Sequence, residues 1–182
     1  MTATTAIIIV VVAVVLIGIF LGLSFAQRKR SGRLHDQFGS EYDQTVEALG
    51  DEKSAQKELE ERQKHVKTLD IHPLTSNERE QYLNDWTAVQ SKFVDEPGKA
   101  INEADRLIIE VMQKRAYPVS DFEQRAADIS VIYPELVTNY RAARAIAIKN
   151  EQNLADTEEL RQALIYYRSL FSELLGTEEI VH

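Results

Sequence analysis

The 21 residues from Ala6 to Ala26 contain no charged side chain, and this run constrains the chain more than any other feature. As a helix it is about 31 Å long, which matches a hydrocarbon core of about 30 Å. Ile, Val, Leu and Phe fill most of it, and each contributes about −0.3 to −0.6 kcal/mol at the centre of an inserted helix. A transmembrane helix is therefore expected over residues 6–26, after a short tail of residues 1–5. With no ionisable group inside it, the run is not a proton or ion path by itself. The rival is a cleaved signal peptide, since Ser24 and Ala26 have an A-x-A-like spacing. Against cleavage, the first five residues carry no Lys or Arg, and the run exceeds the roughly 7–15 residues of an ordinary signal-peptide core.

Arg28, Lys29, Arg30 and Arg33 follow at once. The positive-inside rule places such a flank in the cytoplasm, with the N-terminus outside. The same cluster can lie on anionic headgroups at the membrane surface. Within the run, Gly18, Gly22 and Ala26 stand four apart on one helical face. Small residues at this spacing let two helices approach closely, so the face is a candidate homodimer seam. The expected location is a plasma membrane, single-pass, with the C-terminal domain cytoplasmic.

The remaining residues suffice for one domain and a connector. The formal charge is −8; setting aside the +4 of the basic cluster leaves −12 on the rest. So acidic a body repels nucleic acid and anionic lipid. There is no Cys, which removes disulfides, thiol nucleophiles and a lipid anchor on Cys. Strand-like alternation is absent. The fold class expected is all-α: the transmembrane helix, a polar helical stalk within residues 27–74, an antiparallel bundle of about four helices over residues 75–176, and a tail of residues 177–182.

In the connector, Ser40 with Asp43 resembles a helix start and Gly50 a stop. Residues 51–69 predict a very polar helix whose apolar positions Ala55, Leu59, Val66 and Leu69 continue a 3–4 spacing from Ala48. Glu52 and Arg62 interrupt that spacing, leaving a solvated stalk or a partner-dependent coiled coil. Glu58–Arg62 and Glu60–Lys64 are expected i,i+4 pairs. Pro73 ends the stalk, and Thr75 with Glu78 forms a capping signature. Beyond it, amphipathic helices follow one another. Tyr82, Trp86, Val89 and Phe93 mark the first face, and Ala100, Ala104, Leu107, Ile108 and Val111 the second, after a corner at Pro97. A short helix started by Ser120 follows. Leu136, Tyr140, Ala143 and Ala147 define the next face. Leu160, Leu164, Tyr167, Phe171 and Leu174 define the last, capped by Asp156 or Thr157. Short connections make an antiparallel bundle the default.

Two polar residues fall inside these apolar stripes, Arg144 and Gln90. A buried Arg must be paired, and Asp105 and Asp128 are its candidate partners. The alternatives are a structural ion pair or an anion-binding pocket around Arg144. No catalytic, cofactor-binding or metal residues can be named. No Gly-rich phosphate loop is present, and His35, His65, His72 and His182 are scattered. Glu61 and His65 are spaced i,i+4 but fall on the exposed stalk, where no metal site is expected. Tyr166, beside Tyr167, is a candidate for an exposed contact patch.

The segments LHDQFGSEYDQTV, LDIHPL, ERxxYxxxWxxxQxxFVDEP (Glu78 to Pro97), RAADIS, YRAARAIA and TEELRQALIYYRSLFSELL together resemble a group of short bacterial membrane-anchored proteins of unassigned function. The likeness covers nearly all of the chain after the apolar run. It implies one N-terminal span followed by a helical domain, and brings no activity, cofactor or catalytic residue with it. The expectation is a membrane-anchored protein–protein interaction or scaffold module, with the lipid bilayer and an unidentified protein as partners. The alternatives are an anion or small-molecule sensor at Arg144 and an enzyme of unrecognised type.

Overall fold

The structure, a computed structural model, describes residues 17–18 and 28–176. The expected span, residues 6–26, and its Gly18–Gly22–Ala26 face lie outside the described residues apart from positions 17 and 18, as do the two tails. Among the described residues no helix is long and apolar enough to cross a membrane.

Helices make up the ordered framework, and no strand occurs among the described residues. They are α1 (residues 28–38), α2 (Ser40–Leu49), α3 (Glu52–Thr68), α4 (Ser76–Asp95), α5 (Pro97–Lys114), α6 (Phe122–Ile132), α7 (Pro134–Glu151) and α8 (Thr157–Leu175).

Four of them, α4, α5, α7 and α8, form the expected bundle. Their pairing follows from which ends meet. Lys114 at the end of α5 bonds Glu78 at the start of α4 (2.8 Å), so these two helices are antiparallel. Gly98 at the start of α5 accepts from Asn150 near the end of α7 (2.8 Å), which makes that pair antiparallel as well. Tyr167 of α8 donates to Asp105 of α5 (2.9 Å), tying the two most heavily buried helices together. Trp86 stacks on Phe171 with ring centroids 4.7 Å apart, closing α4 onto α8. Gly98 sits so close to α7 that a Cβ there would meet Asn150 Oδ1 at 2.6 Å.

Capping explains most of the boundaries. Thr75 and Glu78 exchange backbone and side-chain bonds as a full capping box, and so do Asp156 and Glu159. Pro97 and Pro134 occupy first-turn positions where a missing N–H costs nothing. Asp121, and not Ser120, caps α6 by accepting from Gln124 N at 2.9 Å. Ser40 makes no cap bond, because the residue ahead of α2 is Gly39 with φ +52.

The expected stalk is where the structure departs from the sequence reading. Residues 28–74, the described part of the connector, do not form a free-standing stalk. Gly50, at φ +68, turns α2 back into α3, and Asp51 caps the new helix through Ser54 N and Oγ. The hairpin buries Leu34, Phe38, Tyr42 and Leu59 in a small apolar cluster of its own. It then lies on α6 and α7. The predicted 3–4 spacing accounts for Ala55 and Leu59, whereas Ala48 is exposed. Glu60 does not pair along its own helix with Lys64; it takes a bidentate bond from Arg30 of α1, both contacts at 2.6 Å. The basic cluster is therefore divided. Arg30, and at 3.7 Å Arg33, face Glu60, while Arg28 and Lys29 are exposed.

Gln90 is also corrected. It is exposed, and Leu83 is 44% exposed, because α4 turns only Trp86 and Val89 fully inward at the bundle's edge.

One guanidinium ties the loops at one end. Arg115 donates to the carbonyl of Leu174 at the end of α8 (2.8 Å) and to that of His72 in the α3–α4 connector (3.3 Å). His72 N returns a bond to Arg115 O.

Two outcomes follow. Trp86→Ala removes a buried, stacked indole and should lower stability by about 3–5 kcal/mol in urea or thermal unfolding. Glu78 has its pKa lowered to about 2, chiefly by Lys114 and then by the Thr75 cap bonds. Its contribution is therefore present above its ordinary value of 4.5 and is lost as pH falls towards 2. A Gln at this position keeps the cap geometry without the charge. The stability advantage of wild type over Glu78→Gln should be constant near neutrality and shrink across that window in urea titrations.

Candidate functional site

The joint where the hairpin meets the bundle holds the densest set of buried charge. Glu41 in the first turn of α2 is only 2% exposed. Its Oε1 accepts from Arg62 Nη1 of α3 at 2.8 Å and from Arg141 Nη2 of α7 at 3.2 Å. Arg62 also donates to Glu58 (2.9 Å) and to Ser130 Oγ of α6 (3.4 Å). Arg141 reaches Glu123 of α6 at 2.7 Å. Four helices thus share one ion network. Burial works against the charge on Arg141, but its bonds to Glu123 and Glu41 outweigh that effect and raise its pKa. The second carboxylate oxygen, Glu41 Oε2, is buried with no protein partner. These groups line a cleft of about 540 Å³, completed by Gln44, Thr45, Ala48 and Leu49.

Further along the same joint, His65 Nε2 of α3 stands 3.6 Å from Asp128 Oδ1 of α6. Asp128 is fully buried and also accepts from Gln124 Nε2 (2.9 Å), while its Oδ2 has no partner. Burial raises the Asp128 pKa, with Gln124 and His65 pulling it back. His65 thus faces Asp128 across the joint. Among the described residues no three His, Asp or Glu side chains are grouped so as to hold a metal ion.

Arg144 lies elsewhere. Its Nη1 bonds Asp105 Oδ2 at 3.0 Å and approaches Glu151 at 3.8 Å. Asp105 Oδ1 in turn accepts from Tyr167, whose hydroxyl is held protonated by burial and then by the Asp105 charge. Of the two candidate partners for Arg144, Asp105 is therefore the one in contact, while Asp128 faces α3. Arg144 does not line the cleft. Its guanidinium is engaged by carboxylates in the manner of a structural pair.

A parallel core pairing joins Arg125 to Tyr140 (3.2 Å) and to the Val119 carbonyl (3.1 Å), holding α6 to α7. Tyr166 is half-buried against the main core and so does not form an exposed patch. The large exposed apolar side chains of the body are Leu49, Leu83, Val94, Ile148, Leu154 and Ile165.

Chemically, the joint offers anchored charges of both signs around a cleft, with no nucleophile–base pair in hydrogen-bond contact among its residues. Sequence periodicity could not reveal it. Glu41 and Arg62 each stand among many other polar residues on their helices, and Glu41 and Arg141 are 100 positions apart. The one signal was Arg62 itself, a charge at a position where the connector's apolar spacing breaks.

No protein-family model matches the chain, and no curated protein or solved structure is significantly similar to it.

The Arg144 pair gives a direct test. Arg144→Met leaves Asp105 buried without its cation and should destabilise the fold, by less than the about 3–5 kcal/mol of a fully buried pair because Arg144 is 27% exposed. Adding Asp105→Asn should recover part of that loss. Unchanged or raised stability in the single variant would remove the structural role.

Proposed function

We propose that this chain is a single-pass membrane protein whose helical body is an interaction or scaffold module on the cytoplasmic face. Residues 6–26 are the span, Arg28 and Lys29 meet the headgroups, and the Gly18–Gly22–Ala26 face is the seam for a second copy. The bacterial plasma membrane is the setting that the sequence resemblance implies.

The observation that carries this is how the chain continues from the uncharged run. Four residues past Ala26, Arg30 is gripped by Glu60, and within two further turns Leu34 and Phe38 are completely buried in the hairpin. A body joined so closely to its anchor has little freedom to tumble. It would keep a chosen face towards the membrane and another towards a partner, as a scaffold requires. The acidic body, kept off anionic lipid by its charge, suits a protein partner better than a lipid or nucleic-acid one. Exposed apolar side chains such as Leu83, Ile148 and Ile165 are available for contact.

Reporter fusions after Arg33 and after His182 should be active on the cytoplasmic side, and activity only outside would reverse the orientation. Intact-mass measurement of the membrane-purified chain should give the uncleaved product; a chain beginning at Gln27 would remove the anchor. Crosslinking in intact membranes should capture a reproducible protein partner, and recovery of none would overturn the scaffold role.

A further inference from the structure

The body is divided into two unequal apolar units that do not merge. The bundle core draws on α4 to α8, whereas Leu34, Phe38, Tyr42 and Leu59 form a separate cluster in the hairpin. Among the described apolar residues, Val131 of α6 is the one from outside the hairpin that packs on that smaller cluster. What holds the units together is polar. Glu41 meets Arg141, Arg62 meets Ser130, and Ser40 and Gln44 both meet Thr138 at 3.3 Å, while His65 faces Asp128 at 3.6 Å without a hydrogen bond.

Such a joint is closed at a cost. Five buried side-chain atoms among the described residues have no partner, and three of them, Glu41 Oε2, His65 Nε2 and Asp128 Oδ2, lie here. A buried polar atom without a bond is penalised relative to water. Opening would hydrate all three and would expose little apolar surface. Interfaces of this kind permit relative motion, whereas large apolar ones do not. The hairpin would stay intact on release, since its internal bonds do not involve the bundle. Ser31, Tyr42, Glu52 and Gln56 bond one another, and Arg30 bonds Glu60.

We propose that α1, α2 and α3 form a hinged arm that leaves and rejoins the α6–α7 face as one piece, with Glu41, Arg62 and Arg141 as the clasp that sets how often it opens. The hinge is the stretch after Thr68. Opening uncovers Val131, Asp128 and Arg141, and it exposes the Glu41–Arg62 pair, which stays bonded on the arm. The arm is the part of the body nearest the apolar run, so anything that shifts residues 28–33 shifts the clasp. The motion does not depend on the membrane assignment and is testable in detergent.

The test uses the full chain in detergent micelles and reads side-chain labelling, because an arm that leaves intact keeps its helical amides protected. The chain has no Cys, so one introduced thiol is the only target of a thiol reagent. Ser130→Cys places it under the arm and Ala163→Cys in the bundle core, both at fully buried positions. The first should label on the order of 100-fold faster than the second under native conditions. Adding Arg141→Met should speed labelling of the first and leave the second unchanged. Val131→Cys is the second joint probe, should loss of the Arg62–Ser130 bond itself loosen the arm. Equal labelling at joint and core, or no response to Arg141→Met at either joint probe, would overturn the proposal.

Discussion

A buried carboxylate needs cations beside it, and Glu41 has arginines from two other helices. Its position in the fold makes this requirement structural. The carboxylate is on α2, one arginine on α3 and the other on α7. Satisfying one buried charge therefore fixes where a hairpin of modest apolar content sits on a bundle that has its own core. Each arginine spends its remaining donors on a further partner, Glu58 and Ser130 for Arg62, Glu123 for Arg141. The network is locally closed except at one oxygen.

The contrast with the Asp105 network is instructive. There the buried carboxylate has both oxygens occupied, one by Tyr167 and one by Arg144. It is surrounded by the large side chains of α5, α7 and α8. Full satisfaction inside a continuous apolar core gives rigidity and a fixed register between helices. Incomplete satisfaction at the edge of a core gives a joint whose two sides are more nearly balanced. Two acidic residues of similar burial thus contribute to the fold in opposite ways.

The bundle was legible in the sequence because each of its helices carries its own stripe. Trp86 with Val89, the run from Ala100 to Val111, and Leu160 to Leu174 all repeat at helical spacing and are inward. Local signals worked for the same reason: Thr75 with Glu78, Pro97 and Asp156 act within one turn. The arm was not legible, because its cluster takes one or two residues from each of three helices and the α3 spacing that carries Leu59 is broken by charged residues. Its polar residues are buried by partners far away in the chain, which single-helix periodicity cannot register. Gln90 failed for the converse reason. A position inside the stripe of Tyr82, Trp86, Val89 and Phe93 implies burial only if the whole stripe is covered, whereas α4 sits at the bundle's margin and buries only Trp86 and Val89. The Arg144–Asp105 contact was legible because a cation inside a stripe demands an acid inside a neighbouring one.

The Arg115–His72 contact has a mechanical meaning for the connector. It fastens the chain to the bundle at residue 72, while α3 holds it as far as Thr68. Between these points only residues 69–71 can extend, a leash of about 10 Å at 3.3–3.6 Å per residue. A released hairpin on so short a leash cannot wander. It remains at high effective concentration beside its seat, so any competitor for that surface would contend with a rival that never diffuses away.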